Sequence, residues 1–299
     1  MKRVLKWIGR LVAGLVLLVL LAVGVIYVLS QRTIGQTFEV EGVAVELPTD
    51  AAAIEEGRRL AIVRGCYDGC HGPGFGGNAF FDEPFPFNVL FGRMNAPDLT
   101  ALAATRSDAE MERSIRRGVK PDRRSVIAMP SESFALLSDE DLGMILAAIR
   151  ATDPAAGPGS YIRLGPLARY FLYKGDFAIA AEGVDHAVTP PVRTPSDTLE
   201  WGEYLARTVC SECHGADLLG SEAFGPSPGF PPLSVVVGYT AGQFTTLMRE
   251  GVPASGLELN LMREVALNRF SRMTDEEVAA LYGFLNDPAT WQGGATTDQ

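Results

Sequence analysis

An uninterrupted apolar run near the start of the chain fixes the fold of its first part. The run extends over 19 residues from Leu11 to Leu29. At a rise of about 1.5 Å per residue, a helix of that length nearly matches a hydrocarbon core of about 30 Å. The sequence therefore predicts a transmembrane anchor over residues 1–30.

Charges beside the run predict the orientation of this anchor. Four cations precede it, and no acidic residue occurs before Glu39. The positive-inside rule then places the N-terminus in the cytoplasm, with everything after about residue 31 exported to the periplasm of a bacterial inner membrane. The alternative is a cleaved signal peptide, whose apolar region is usually about 7 to 15 residues long and ends in small residues. The sequence from Tyr27 to Arg32 lacks that ending, which favours an uncleaved single-pass anchor.

Composition narrows the class of protein. The chain has 299 residues, 47% of them hydrophobic, and a net charge of −10, so it can bury cores and is not a disordered tail. A nucleic-acid binder would need clustered Lys and Arg for phosphate contacts. Residues 196–299 instead hold 14 acidic and five basic residues and no Lys. Such a surface predicts a protein partner with a basic docking face.

The exported part contains an internal duplication. Two segments each begin with a helix-like stretch, continue through a cysteine-rich turn and a loop rich in Gly and Pro, and close with a helix. Ser138 and Thr274 precede the closing helices, each with a carboxylate three residues on, which resembles a capping box. No recurrent strand pattern occurs, although Val235 to Val237 could form a strand-like piece. The sequence predicts an all-α fold.

These patterns give the predicted domain boundaries. A connecting segment over 31–50 follows the anchor, the first helical domain covers 51–153, and the second covers 196–299. Between the two domains, residues 154–195 are rich in Pro and Gly and are predicted to be a linker.

All four cysteines occur as two close pairs, and a histidine follows each pair directly. The motifs are Cys66 and Cys70 before His71, and Cys210 and Cys213 before His214. The spacing C-x-x-C-H is the attachment signature of a c-type haem, since two thiols can add to its two vinyl groups while the imidazole binds iron. The second motif matches fully, whereas three residues separate the cysteines of the first. A disulfide or a zinc site would also use cysteine pairs but would leave both histidines without a role.

A methionine sulfur would complete each predicted iron site on the face opposite the histidine. Met129, directly before Pro130, is the candidate in the first domain. Met262 is favoured in the second domain, with Met273 as the alternative. Met273 directly precedes the N-cap Thr274, where an apolar residue usually acts as a hydrophobic staple and not as a ligand. The lone His186 of the linker is more typical of a surface or hydrogen-bonding residue than of a ligand.

In this order of motifs, the chain resembles a membrane-anchored di-haem cytochrome c with two class I cytochrome c domains. The resemblance implies two tandem helical bundles, each around one covalently attached haem c. It also implies that the first and last helices of each bundle cross at a small residue facing a larger one. The corresponding positions are Gly57 with Ile145, and Gly202 with Tyr282.

The same family has a Pro-x-Leu segment whose proline carbonyl accepts a hydrogen bond from the ligating histidine. Pro97-Asp98-Leu99 and Pro231-Pro232-Leu233 resemble it. Pro97 and Pro231 are therefore implied to orient His71 and His214.

The resemblance implies an electron carrier and not an enzyme. It would relay single electrons between a membrane or periplasmic donor and an acceptor. Two alternatives stay open: a haem subunit of a membrane dehydrogenase or oxidase complex, and a di-haem peroxidase with one open iron position. No nucleic acid, and no substrate other than redox partners, is expected.

Overall fold

A computed structural model describes residues 2–157, 159, 161–176, 179–221 and 229–291 of the chain. The described part is mostly helical, as predicted. The helices are α1 (Lys2–Ile34), α2 (Ala51–Val63), α3 (Phe87–Leu90), α4 (Leu99–Thr105), α5 (Asp108–Arg116), α6 (Ser131–Phe134), α7 (Asp139–Arg150), α8 (Pro166–Lys174), α9 (Ala180–Gly183), α10 (Thr198–Leu205), α11 (Ser211–His214), α12 (Ala241–Glu250), α13 (Asn260–Asn268) and α14 (Asp275–Asn286). The strands are β1 (Asn78–Phe81), β2 (Gly92–Ala96) and β3 (Tyr161–Leu164).

Helix α1 is the apolar N-terminal helix that the sequence predicts. It is 33 residues long, and its most apolar stretch has a mean hydropathy of 3.0. Every residue from Lys2 to Ala22 is exposed. The helix is long and apolar enough to cross a membrane, and it ends at Ile34, four residues beyond the predicted boundary.

The first and last helices of each predicted domain pack closely at a glycine. A β-carbon added at Gly57 of α2 would lie 1.9 Å from the carbonyl oxygen of Met144 in α7. One added at Gly202 of α10 would lie 2.2 Å from the carbonyl oxygen of Ala280 in α14. No other residue allows backbones to approach this closely.

The atoms nearest to these glycines are not side-chain atoms of the predicted large partners. At Gly57 the added carbon lies nearest the Met144 carbonyl, with the Ile145 backbone nitrogen at 3.1 Å. Gly202 instead contacts Ala280 and Phe284, so the prediction of Tyr282 is wrong. The Tyr282 hydroxyl donates a hydrogen bond to the Tyr239 carbonyl (2.9 Å), on a different face of α14.

Both closing helices begin at the predicted caps. Ser138 accepts a hydrogen bond from the backbone nitrogen of Asp141 at 3.1 Å. Thr274 forms a full capping box with Glu277, since each side chain accepts from the other's backbone nitrogen. Acidic residues in the first turn of each helix stabilise it, because they lie at the positive end of the helix dipole.

A small antiparallel sheet corrects the all-α prediction. Its strand order is β1-β2-β3, with Gly92 paired to Leu164. Strands of four or five residues that carry Gly and Asn show little alternation, so their pattern is weak in the sequence. Residues 233–238, predicted to be strand-like in part, form a 3₁₀ turn instead.

The predicted linker is also structured. Residues 154–195 contain β3, α8 and α9, and Leu164, Ala168 and Leu172 form a buried cluster with Ile179. Ile34 of α1 packs at the edge of that cluster. The apolar residues of this segment therefore attach it to the first domain and to α1, which composition alone did not reveal.

Buried charges join the two predicted domains. Arg59 donates to both carboxylate oxygens of Glu277 at 2.7 and 2.8 Å. Within the first domain, the fully buried Arg64 and Asp141 form an ion pair at 2.7 Å, and the Tyr204 hydroxyl of the second domain donates to the same carboxylate at 2.7 Å. Breaking such a buried pair is costly, so these contacts hold the domains together.

Candidate functional site: two cysteine-histidine motifs

The first motif lies on a π turn that absorbs its extra residue. Residues Cys66–Cys70 form this turn, and the His71 backbone nitrogen donates to the Cys66 carbonyl at 3.2 Å. Hydrogen bonds in a π turn run from i to i+5 instead of i to i+4, so the turn holds about one more residue than an α turn. Cys66 and Cys70 are thus again about one turn apart.

The second motif reaches the same spacing on an α turn. Cys210 is the N-cap of α11, and Cys213 and His214 belong to that helix. A π turn at Ala206–Cys210 precedes it. The two motifs therefore separate their thiols by one helical turn of different kinds.

Both histidines are oriented by a proline carbonyl. Nδ1 of His71 lies 2.9 Å from the Pro97 carbonyl oxygen, and Nδ1 of His214 lies 2.8 Å from the Pro231 carbonyl oxygen. A carbonyl only accepts, so Nδ1 carries the proton and Nε2 keeps its lone pair. These are the two contacts that the resemblance implies for Pro97 and Pro231.

Burial keeps both imidazoles and all four thiols uncharged. It lowers the pKa of His71 and His214 against the opposing effect of the proline hydrogen bonds. It also raises the pKa of Cys66 and of Cys210 to about 12 and that of Cys213 to about 11, and raises the pKa of Cys70.

The two alternatives for the cysteine pairs find no matching arrangement. All four thiols are free. Within the described ranges, no group of three or more His, Cys, Asp or Glu side chains is placed to hold a metal ion. Each motif thus offers one imidazole Nε2 with a lone pair beside two thiols.

The candidate methionines lie in different surroundings. Met129 is half-buried in the loop before α6, and Met262 is half-buried in the first turn of α13, against the second core. Met273 is 3% exposed within that core, next to its N-cap Thr274, which fits a packing role. Ligation by Met129 and Met262 stays a prediction.

Arg269 connects the two motifs, and sequence reasoning missed it. Its guanidinium pairs with Glu212, between the cysteines of the second motif, at 2.5 Å. Its Nε donates to the carbonyl of Val63 at 3.1 Å, and its Cζ would lie 2.8 Å from a β-carbon at Gly65, just before Cys66. No local pattern signals a contact between residues 206 positions apart.

A second contact brings the predicted Met129 loop to the second motif. The hydroxyls of Ser133 and Ser211 lie 2.7 Å apart. Ser133 is in α6, immediately after Met129 and Pro130. By contrast, His186 packs near the ring of Phe38 in the connecting segment, with 6.3 Å between ring centroids.

No protein-family model matches the chain, and a search of curated proteins finds no match.

Proposed function

We propose that the chain is a membrane-anchored di-haem cytochrome c, an electron carrier with two covalent haems c. The observation that carries the proposal is the repeated imidazole geometry. In each motif the histidine directly follows two cysteines one turn apart, and its Nδ1 is held by a proline carbonyl. With the proton on Nδ1, Nε2 keeps in both domains the lone pair that an iron would bind.

Each domain supplies the residues that such a group needs. Cys66 and Cys70 would hold the first haem, and Cys210 and Cys213 the second. His71 and His214 would bind the irons, with Met129 and Met262 on the opposite faces. A haem iron with a histidine and a methionine ligand exchanges one electron without transforming a substrate. The chain's own part is to hold each imidazole in one tautomer and to exclude water around it.

Placement and partners follow from charge and from α1. We place the cytochrome c domains in the periplasm of a bacterial inner membrane, with α1 as a single-pass anchor and the N-terminus in the cytoplasm. The 14 acidic residues of 196–299 favour a redox partner with a basic face. Association should weaken as salt screens that attraction. A subunit of a respiratory or dehydrogenase complex would use the same chemistry with a permanent partner.

The proposal is tested by haem content and ligand spectra of the full chain produced with a c-type maturation system. We expect two covalent haems by pyridine haemochrome assay and intact mass. Met129→Ala and Met262→Ala should each remove the methionine signature of one haem only. Met273→Ala is the matched control in the second domain and should leave both spectra unchanged.

Three results would contradict the proposal. A colourless mature protein, or thiols joined to each other, removes the electron carrier altogether. Loss of the spectrum in Met273→Ala instead of Met262→Ala reassigns the second ligand. Turnover of peroxide by a five-coordinate second haem supports the peroxidase alternative in place of the carrier.

A further inference from the structure

An exposed apolar and aromatic patch lies on the first domain, outside both motifs. It is formed by the segment before β2 and by the outer face of α8. Its members, which we call the aromatic patch, are Phe85, Phe87, Val89, Leu90, Tyr170 and Tyr173. Phe85 is 79% exposed and Val89 58% exposed. Contiguous exposed apolar surface of this kind marks a contact with a partner or a membrane.

The patch is continuous through stacked rings. Phe87 stacks on Phe91 with 6.4 Å between ring centroids, and Phe91 stacks on Phe171 of α8 at 6.3 Å. Tyr170 meets Phe171 edge-on at 5.7 Å. The start of α8 at Gly165 also abuts the backbone of Val89 and Leu90. The segment with the exposed side chains is therefore fixed to α8.

Helix α8 in turn packs along the end of α1. The Arg169 guanidinium lies over the Tyr27 ring, 4.4 Å from its centroid, and donates to the Ser30 hydroxyl at 3.0 Å. Covered positions on α1 begin at Val23 and continue through Ile26 and Leu29, while the intervening residues are exposed. This spacing marks one face of the helix.

That face overlaps the apolar run. Val23 lies six residues before Leu29, about 9 Å along a helix axis. The half-buried face of α1, which packs against α8 at its C-terminal end, therefore reaches into the last part of the apolar run. Tyrosines such as Tyr27 are enriched at the membrane–water interface, where the ring contacts apolar groups and the hydroxyl contacts polar ones.

From this juxtaposition we propose that the aromatic patch inserts into the headgroup and acyl boundary of the bilayer that α1 crosses. The patch forms a second membrane contact in addition to α1. The inference rests on the membrane anchoring in the proposed function. Lipid is the occupant because the patch lies beside a helix segment that lipid must surround, and apolar area buried at the boundary stabilises binding. Two contacts prevent the domains from turning freely about α1.

The test uses the full chain in phosphatidylcholine vesicles with a photoreactive residue. Phe85→p-benzoylphenylalanine places the probe on the patch, and Leu20→p-benzoylphenylalanine places it within the apolar run. Val192→p-benzoylphenylalanine is the matched control, since Val192 is 81% exposed on the segment before the second domain. After illumination, mass spectrometry counts lipid adducts. Unchanged circular dichroism of the variants verifies their fold.

We expect lipid adducts at positions 20 and 85 to exceed those at 192 by about tenfold or more, because only the first two contact acyl chains. Adducts at 20 without an excess at 85 overturn the inference and leave the anchor in place. Adducts at none of the three positions overturn the anchor and the inference together. Cross-links from 85 to a polypeptide in native membranes, in place of lipid, identify the patch as a protein-docking surface and also overturn it.

Discussion

The first and second motifs place their histidines alike but carry their cysteines on different turns. The distances from Nδ1 to the proline carbonyl are 2.9 and 2.8 Å. The first cysteine pair lies on a π turn, and the second lies on the α turn of α11. The comparison shows that an extra residue between two thiols can be absorbed by the backbone, while the imidazole position is held from outside the turn.

The surroundings of the two domains differ more than the motifs do. The first domain has a sheet, the aromatic patch and direct packing against α1. The second has none of these among its described residues and carries most of the negative charge. We infer a division of labour, in which the first domain faces the membrane and the second faces a soluble partner.

The largest expected effect comes from exchanging the spacings of the two motifs. A glycine inserted between Glu212 and Cys213 gives the second motif the longer spacing without the matching π turn. Under the proposed function, we expect the haem count to fall from two to about one per chain, because the thiols no longer align with both vinyl groups. Haemochrome assay and intact mass measure the change.

The matched variant deletes Gly69 from the first motif. Gly69 is exposed, and an added β-carbon there would meet no atom within 4 Å. Its removal gives the shorter spacing and should keep both haems, since an α turn can replace the π turn. Two haems in the insertion variant would show that the π turn is not what accommodates the longer spacing.

The next effect concerns the buried ion pair of the first domain, whose carboxylate also accepts from Tyr204 of the second domain. Arg64→Ala leaves Asp141 with Arg193 at 2.9 Å and the Tyr204 hydroxyl at 2.7 Å as partners. We expect the free energy of unfolding to fall by about 3 kcal/mol. Urea unfolding in detergent measures it, with the more exposed Arg58→Ala as control, for which the loss should stay below about 1 kcal/mol. Equal losses in both variants would show that burial does not make this pair more costly to break than an exposed one.

A smaller effect is expected at the contact between the two motifs. Arg269→Ala removes a guanidinium that pairs with Glu212 and donates to the Val63 carbonyl. We expect a loss of about 1.5 kcal/mol, because a charged hydrogen bond is removed. If the chain carries the two proposed haems, the spectra of both should change, because Arg269 contacts residues next to both motifs. Arg263→Ala, on the exposed surface of α13, should change neither. A spectral change confined to the second haem would contradict the link.

The smallest effect is the pH dependence of the pair that Glu56 forms with Arg59 within α2. Hydrogen bonding from Arg59 holds the pKa of Glu56 below its ordinary value of 4.5, against the effect of burial. Stability from this contact is present above the unfolded-state pKa and is lost as the pH falls through the lower folded-state pKa. We expect Tm to fall between about pH 5 and about pH 3, and less so in Glu56→Gln. An identical pH profile in that variant would exclude Glu56 as a source.

Local patterns predicted much of the fold. The apolar helix and the caps at Ser138 and Thr274 follow from periodicity and side-chain chemistry within a few residues, whereas the glycines at the helix crossings were implied by the resemblance. The short strands did not, because β2 contains Gly92 and Asn95 and is stabilised by pairing with the distant β3. Tyr282 was misassigned since a helix presents neighbouring residues on different faces, and the choice depends on packing.

The candidate site likewise has features that the sequence predicts locally and features that depend on long-range contacts. The cysteine pairs and their histidines stand together in the sequence, and the resemblance supplied Pro97 and Pro231. The link through Arg269 could not be predicted, because it depends on how two separately folded units meet. The π turn is visible only once the His71 hydrogen bond to Cys66 is known.

The segment after α1 has a consequence for the reach of the protein. The Phe38 backbone nitrogen donates a hydrogen bond to the Arg123 carbonyl at 2.9 Å, and the Val43 backbone nitrogen donates one to the Glu112 carboxylate at 3.0 Å. Val45 is buried in the first core. The connecting segment between α1 and the first domain is thus fixed along its length. Under the proposed function, the two haems would stay at one height above the lipid. A donor or acceptor would have to present its own centre at that level, and lateral diffusion would bring the two together.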